Sequence, residues 1–254
     1  MKKIESTENE KIKFLKKLAD KKFRDARGQF LVENLIIIAD AMQAGFVPVQ
    51  LFVREDFLDK EDEKVDYITQ KFSDYFVINQ KINKCFSSLS TPSGIAAIFE
   101  KTERPIKFDE KIIYLNAVAD PGNLGTILRT AVAFNLKNII VDEKCADIYS
   151  AKTISAAKDA IFKLNISKDK NLEIFGKIKE KMEIYATSLE GEESSPKLFQ
   201  KDKFCLVLGN EANGVEEGIL ELADKLVKIE MSQNIESLNV AVSAGILFKE
   251  MYSS

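Results

Sequence analysis

The sequence predicts an α/β protein of two domains, a small α/β unit followed by a larger one built on a mostly parallel sheet. Three observations carry that expectation. A chain of 254 residues is long for one core and short for three. Its composition, 45% hydrophobic and 30% charged, is that of a globular fold. After a polar stretch from Glu100 to Lys111 that contains Pro105, short β-rich runs alternate with helical ones, the pattern of parallel strands covered on both faces. The boundary is placed in that stretch, with residues 1–105 in the first domain and 106–254 in the second.

In the first domain, Glu10 to Phe23 reads as one amphipathic helix with Ile12, Leu15 and Leu18 inward. FLVENLIIIADAMQAGF reads as a strand running into a helix that stops at Gly45. A strand at Pro48 to Arg54, a charged helix at Glu61 to Lys71, a strand at Tyr75 to Ile78, a short helix and a strand at Gly94 to Phe99 complete the unit. The second domain reads as strand KIIYLNAV, helix NLGTILRTAVAFN, strand NIIVDE, a helix from Ser150 to Ala160, strands EIYATS and FCLVLG, helix EEGILELA, strand LVKIEM, and a final helix from Ser237. Ser237 is its expected N-cap, with Asn239 in the first turn. That helix is apolar nearly all round, with Ala241, Ala244 and Gly245 making one side small. It is expected to pack on its own sheet or on another subunit.

Composition also excludes. The chain has no histidine, which removes Ser-His-Asp chemistry and the commonest general base and metal ligand. Cys85, Cys145 and Cys205 are widely spaced, suggest neither disulfides nor a metal site, and read as buried thiols. No apolar leader or span is apparent, so a cytoplasmic protein without a membrane partner is expected. Net charge is −3, yet the first 30 residues hold ten Lys/Arg against five Asp/Glu. That basic segment suits either phosphate contact or a plain solvated helix face.

Three segments end strands in loops where ligands of parallel sheets bind. In NAVADPGNLGTILRTAVAF, Leu124, Ile127, Leu128 and Ala131 form the inward stripe of a helix. Arg129 points away from it, and Gly125, on nearly the same face, leaves room for approach. LVLGNEANGV breaks a buried strand at Gly209 and carries Glu211 between glycines. It has neither the GK[ST] of a phosphate loop nor a dinucleotide GxGxxG. VKIEMSQNIESLNVAVSAG joins a strand to the final helix through a polar loop.

Taken in order, these segments resemble the three motifs of the SpoU/TrmH-type RNA 2′-O-ribose methyltransferases of the SPOUT superfamily. STENEKIKFLKKLADKKFRDARGQFLVE and TPSGIAAIFE are similar to the substrate-binding domain common in that family, so the likeness covers nearly the whole chain. The resemblance implies a deep trefoil knot in the C-terminal domain, a homodimer with cofactor sites near the subunit interface, and S-adenosylmethionine as cofactor. Residue by residue, it implies cofactor contacts at Thr187, Leu208, Gly209, Ile229, Met231 and Leu238, and catalytic roles for Asn123, Arg129, Glu211, Ser237 and Asn239. Lys16, Lys17, Lys21, Lys22, Arg24 and Arg27 become the candidate RNA contacts. A guanidinium stays protonated to above about pH 12, so Arg129 is read as a phosphate clamp and stabiliser of a developing alkoxide. Asn34, Ala157, Asp159 and Glu230 depart from the family pattern. Ribosomal RNA is the expected substrate. The rival readings are transfer RNA, a noncatalytic RNA-binding protein, and a nucleotide-dependent oxidoreductase that the missing glycine fingerprint disfavours.

Overall fold

The computed structural model describes residues 2–59, 62–102, 104–210, 212–232 and 234–253. It divides into two compact units, Met1–Thr102 with Tyr149–Ser155, and Glu103–Ile148 with Ala156–Ser254. No helix among the described residues is long and apolar enough to cross a membrane.

The first unit runs β1 (Lys2–Lys3), α1 (Glu10–Lys17), α2 (Lys21–Arg27), β2 (Gln29–Val32), α3 (Leu35–Gln43), β3 (Gln50–Arg54), α4 (Glu55–Leu58), α5 (Glu63–Lys71), β4 (Phe76–Ile78), α6 (Gln80–Phe86) and β5 (Ile95–Glu100). Its five-stranded sheet, ordered β1-β4-β3-β5-β2, is mixed: β5 runs antiparallel to β2 and β3, and β4 parallel to β1 and β3. Ile12, Leu15 and Leu18 are buried with Phe52, Ile78 and Ile98, as the amphipathic spacing requires. The expected single helix is two. The carboxylate of Asp20 accepts the Phe23 N–H and caps a new helix, as a short acidic side chain does more readily than it continues one. Asn34 caps α3 by accepting the Ile37 N–H, which gives the departure from the family pattern a local function.

The second unit runs β6 (Ile112–Leu115), α7 (Pro121–Ala133), β7 (Asn138–Val141), then, past α8 (Ala151–Ala157), most of which belongs to the first unit, α9 (Ala160–Lys163), β8 (Asn165–Lys168), α10 (Glu173–Lys179), β9 (Ile184–Glu193), a 3-10 turn (Pro196–Phe199), β10 (Cys205–Leu208), α11 (Glu217–Leu220), β11 (Lys225–Lys228) and α12 (Val240–Tyr252). Its six strands are all parallel, in the order β11-β9-β10-β6-β7-β8. Alternate residues feed opposite cores. Ile113, Leu115, Leu206 and Leu208 pack with Leu124, Leu128, Leu247 and Phe248. Ile112, Tyr114, Cys205 and Val207 pack on the other face with Phe175, Ile178 and Ile219. Burial on both faces explains the unbroken apolar runs of β6 and β10. Successive strands leave β6 in one direction through β7 and β8, and then cross to β9 and β10 on its other side. The crevice beyond the carboxyl ends of β6 and β10 is therefore the switch point where open α/β sheets bind ligands.

Several boundaries move. Lys158 has φ of 57°, a left-handed conformation that ends α8 and separates it from α9. β8 and α10 are additions, and β9 is ten residues long. Pairing of β11 with β9 jumps from Leu226–Ala186 to Val227–Glu192, so residues 187–191 leave the ladder as an excursion. The final helix starts at Val240, capped by Asn239 and not by Ser237. Cys205 is buried, whereas Cys85 and Cys145 are only partly so.

Candidate functional site

Three chain segments converge beyond the carboxyl ends of β9, β10 and β11 around a cavity of about 550 Å³. Thr187, Leu208, Gly209, Ile229, Met231 and Leu238, all of the expected cofactor contacts, line it together with Ser237. Thr187 and Ser188 belong to the β9 excursion, and the Thr187 hydroxyl donates to the Val207 carbonyl at 3.2 Å. Gly209 is required by close approach. A Cβ there would lie 2.2 Å from both the Gly214 carbonyl carbon and the Val215 nitrogen. Asn210 and Gly214 exchange backbone hydrogen bonds of 2.8 and 2.9 Å, closing the loop on itself, and Gly214 takes φ of +68°. Glu211 lies outside the described residues.

Asn123 and Asn239 meet beside this cavity, each at the start of a helix. Asp120 caps α7 by accepting the Asn123 N–H at 2.9 Å, and Pro121 occupies the first turn, where its missing donor costs nothing. Asn239 caps α12 by accepting the Ala241 and Val242 N–H groups, which leaves its amide nitrogen to donate to Asn123 Oδ1 at 3.1 Å. Asn239 is flanked in sequence by Leu238 and Val240, both cavity residues. Arg129 is exposed on α7, and its side chain makes no ion pair or hydrogen bond among the described residues. Gly125 is buried and does not form an open face with Arg129, because a residue without a side chain is covered by its neighbours.

The polar chemistry beneath these loops escaped the sequence reading. The buried side chains of Asn116 and Asp142 bond to each other, and Asn116 also reaches the loop after β10. Lys144 pairs with Glu216, and that ammonium holds the Glu216 carboxyl below the usual range. Burial, aided by the nearby Asp142, pushes the Cys145 thiol well up, so it is not a poised nucleophile. Burial and then Asp169 raise the Tyr114 hydroxyl in the same way.

In the first unit, Lys16, Lys17, Lys21, Lys22 and Arg27 are exposed on α1 and α2. Lys17 and Arg27 lie over the Phe23 ring at 5.8 and 5.4 Å, and Lys21 pairs with Asp25 at 2.7 Å. Arg24 is different. It is 6% exposed and donates to the Leu18 and Ala19 carbonyls at 2.6 and 2.7 Å, satisfying the end of α1. Its charge is spent on the fold, so it is withdrawn from the candidate RNA contacts.

A parallel sheet with a glycine-walled cavity past its strand ends, edged by amide-bearing helix starts, defines an α/β domain built to hold a small ligand beside a polar reaction zone. The SpoU rRNA Methylase family matches residues 110–249, and the MRM3-like substrate binding domain matches residues 9–97. The chain belongs to the SpoU rRNA Methylase family. It is 29% identical to the 23S rRNA (guanosine(2553)-2′-O)-methyltransferase RlmP of Bacillus subtilis over 97% of this chain and 98% of that protein. A crystal structure of an RNA 2′-O ribose methyltransferase superposes with a TM-score of 0.80 at 27% identity, covering 99% of this chain and 98% of the other. An AdoMet-bound rRNA methyltransferase from Sinorhizobium meliloti superposes with a TM-score of 0.86 at 25% identity, over 99% and 97% of the two chains.

Proposed function

We propose that this chain is an S-adenosylmethionine-dependent methyltransferase that modifies a ribose 2′-hydroxyl in ribosomal RNA. The observation that carries the reading is the cavity itself: the cofactor contacts expected from three distant segments share one wall, beside the Asn123–Asn239 hydrogen bond. The cavity suits the cofactor in size, since small-ligand pockets span roughly 300 to 1,000 Å³. It suits it in chemistry as well. Leu208, Ile229, Met231 and Leu238 offer apolar surface to a base, Thr187, Ser188 and Ser237 offer hydroxyls, and the Glu190 and Glu236 carboxylates suit a cation.

S-adenosylmethionine, when bound, supplies an electrophilic methyl group on a sulfonium. This chain's residues hold and orient what receives it. Asn123 and Asn239 fix one another and present amides to the ribose, and Ser237 adds a hydroxyl from the cavity edge. Arg129, charged and exposed, clamps a phosphate and stabilises the alkoxide that develops as the 2′-hydroxyl loses its proton. We assign Glu211 to the same group on the family resemblance. Residues 1–105 form the RNA-binding domain, with Lys16, Lys17, Lys21, Lys22 and Arg27 on phosphates, and residues 106–254 the catalytic one.

We further assign to the catalytic domain the deep trefoil knot of the family, and to the protein a cytoplasmic homodimer. Val242 and Tyr252, hydrophobic residues of α12 that are 51% and 61% exposed, support pairing through that helix. Sedimentation equilibrium at the mass of a single chain would overturn the dimer. For the activity, 2′-O-methylation is mapped across total RNA from cells with and without the protein, alongside calorimetric titration with S-adenosylmethionine. Loss of one or more ribosomal RNA marks is expected. A folded protein with no cofactor heat and an unchanged methylation map would refute it. Arg129→Ala is expected to abolish transfer while retaining cofactor binding, and full activity in that variant would remove Arg129 from the mechanism.

A further inference from the structure

We propose that Asp142, acting through Asn116, is a positioning residue for methyl transfer: it sets the spacing between the loop that leads to Asn123 and the loop that walls the cofactor cavity. The inference rests on the functional reading above and adds Asp142, which lies outside the three motif segments that carry it.

Asp142 follows β7 directly and is 6% exposed. Its carboxylate is saturated by donors. Oδ2 accepts from Asn116 Nδ2 at 2.8 Å and from the Ala117 N–H at 2.9 Å. Oδ1 accepts from the Lys144 and Cys145 N–H groups at 3.0 and 2.9 Å. All four of these contacts come from N–H donors, two to each oxygen, so the side chain serves as a four-way acceptor. Asn116, 1% exposed, has its other amide end occupied as well: Oδ1 accepts the Glu216 N–H at 2.8 Å. Its backbone N–H donates to the Leu208 carbonyl at 2.9 Å.

The consequence is a two-point fastening between the segment after β6 and the loop after β10. Asn116 holds the backbone of Glu216, and Asn210 Nδ2 holds the Ala117 carbonyl at 2.8 Å. Between those points Ala117 sits at φ of 55°, a left-handed conformation unfavourable to a residue with a Cβ. Asp142 holds its N–H and Asn210 its carbonyl, so the surroundings impose that conformation. From Ala117 the chain runs through Asp120 into α7, which begins with Asn123 in its first turn. From Leu208 it runs through Gly209 along the cavity wall. A shift between the two segments changes the distance from the wall to the Asn123–Asn239 pair, and displacements near 1 Å can cost on the order of 100-fold in rate.

The test is Asp142→Asn, nearly isosteric, which turns an NH₂ toward donors at one of the two oxygen positions. Well below the melting temperature, kcat is expected to fall about 10- to 100-fold while KM for RNA stays within about twofold, since no RNA-contacting group is touched. Amide exchange should quicken at Ala117 and Glu216 ahead of the β6 and β10 core. Adding Ala117→Gly should restore kcat several-fold, because glycine keeps a positive φ without help. A folded Asp142→Asn protein with native kcat, or native protection at Ala117 and Glu216, overturns the proposal. Should that variant not fold, Asn116→Ala carries the same expectation and the same refutation. If the unmodified protein binds no S-adenosylmethionine, the functional reading falls, and the exchange measurement still decides the linkage.

Discussion

Replacing Gly209 by alanine should remove the cofactor site while leaving the rest of the protein folded. The new Cβ would lie 2.2 Å from two backbone atoms and 2.4 Å from a third, the Gly214 oxygen. That is more than about 1 Å inside ordinary contact, and the obstacle is main chain that cannot rotate away. Relief requires the loop to open, breaking the paired Asn210 and Gly214 hydrogen bonds. Two such bonds at about 1 kcal/mol each, with about 1 to 3 kcal/mol for overpacking, put the local cost at about 3 to 5 kcal/mol. If binding must restore the closed loop, affinity for S-adenosylmethionine falls by more than about 100-fold. Gly214→Ala is the matched control. Its Cβ would meet nothing within 4 Å, so only the φ of +68° penalises it, by about 1 kcal/mol and a few-fold in affinity. Calorimetric titration of both variants, with thermal melts to confirm folding, reads the difference. Native affinity in Gly209→Ala, or a greater weakening in Gly214→Ala, would refute the close-approach argument.

Two further outcomes concern the first unit. Changing Lys16, Lys17, Lys21 and Lys22 to alanine should weaken RNA binding and flatten its salt dependence, the log–log slope falling by close to one for each phosphate no longer neutralised, with stability unchanged. Arg24→Ala should instead cost about 2 kcal/mol in a denaturant melt, because its buried hydrogen bonds end α1; a native melting curve would return Arg24 to the RNA face. Asn83 is wholly buried on α6 with neither amide atom paired among the described residues. Asn83→Leu should therefore stabilise by about 1 to 2 kcal/mol, and a lowered urea midpoint would contradict that.

What the sequence made legible, and what it hid, divides along physical lines. Ile112–Leu115 and Cys205–Leu208 are buried on both faces, so their unbroken apolar runs announce them. β8, NISK, is a partly exposed edge strand with no such run, and α10 carries Gly176 in its middle; both escaped. Ser237 and Asn239 were each plausible caps. Only the backbone decides between them, and it gives the cap to Asn239. The basic run from Lys16 to Arg27 looked uniform, yet Arg24 alone turns inward because the chain breaks at Asp20. The Asn116–Asp142 pair spans 26 residues and exists only because β6 and β7 lie side by side, so no local pattern could report it.

The missing histidine then acquires a structural counterpart. The polar side chains described around the cavity are hydroxyls, amides, carboxylates and the Lys228 ammonium, and the partly buried Cys145 thiol is driven away from the thiolate form a nucleophile needs. A methyl sulfonium is already a strong electrophile, so a chain that receives one need not supply a covalent intermediate. It must bring an oxygen into line with the methyl carbon and steady the charge that appears there. Helix starts suit that task, because their amides are positioned by the helix and their positive dipole ends favour the developing alkoxide. The Asn123–Asn239 bond couples two such starts, and the Asp142 fastening ties one of them to the cavity wall. On this reading the catalytic power of the chain lies in distances held by buried hydrogen bonds, so variants that loosen those bonds without touching substrate should lose turnover before they lose affinity for RNA.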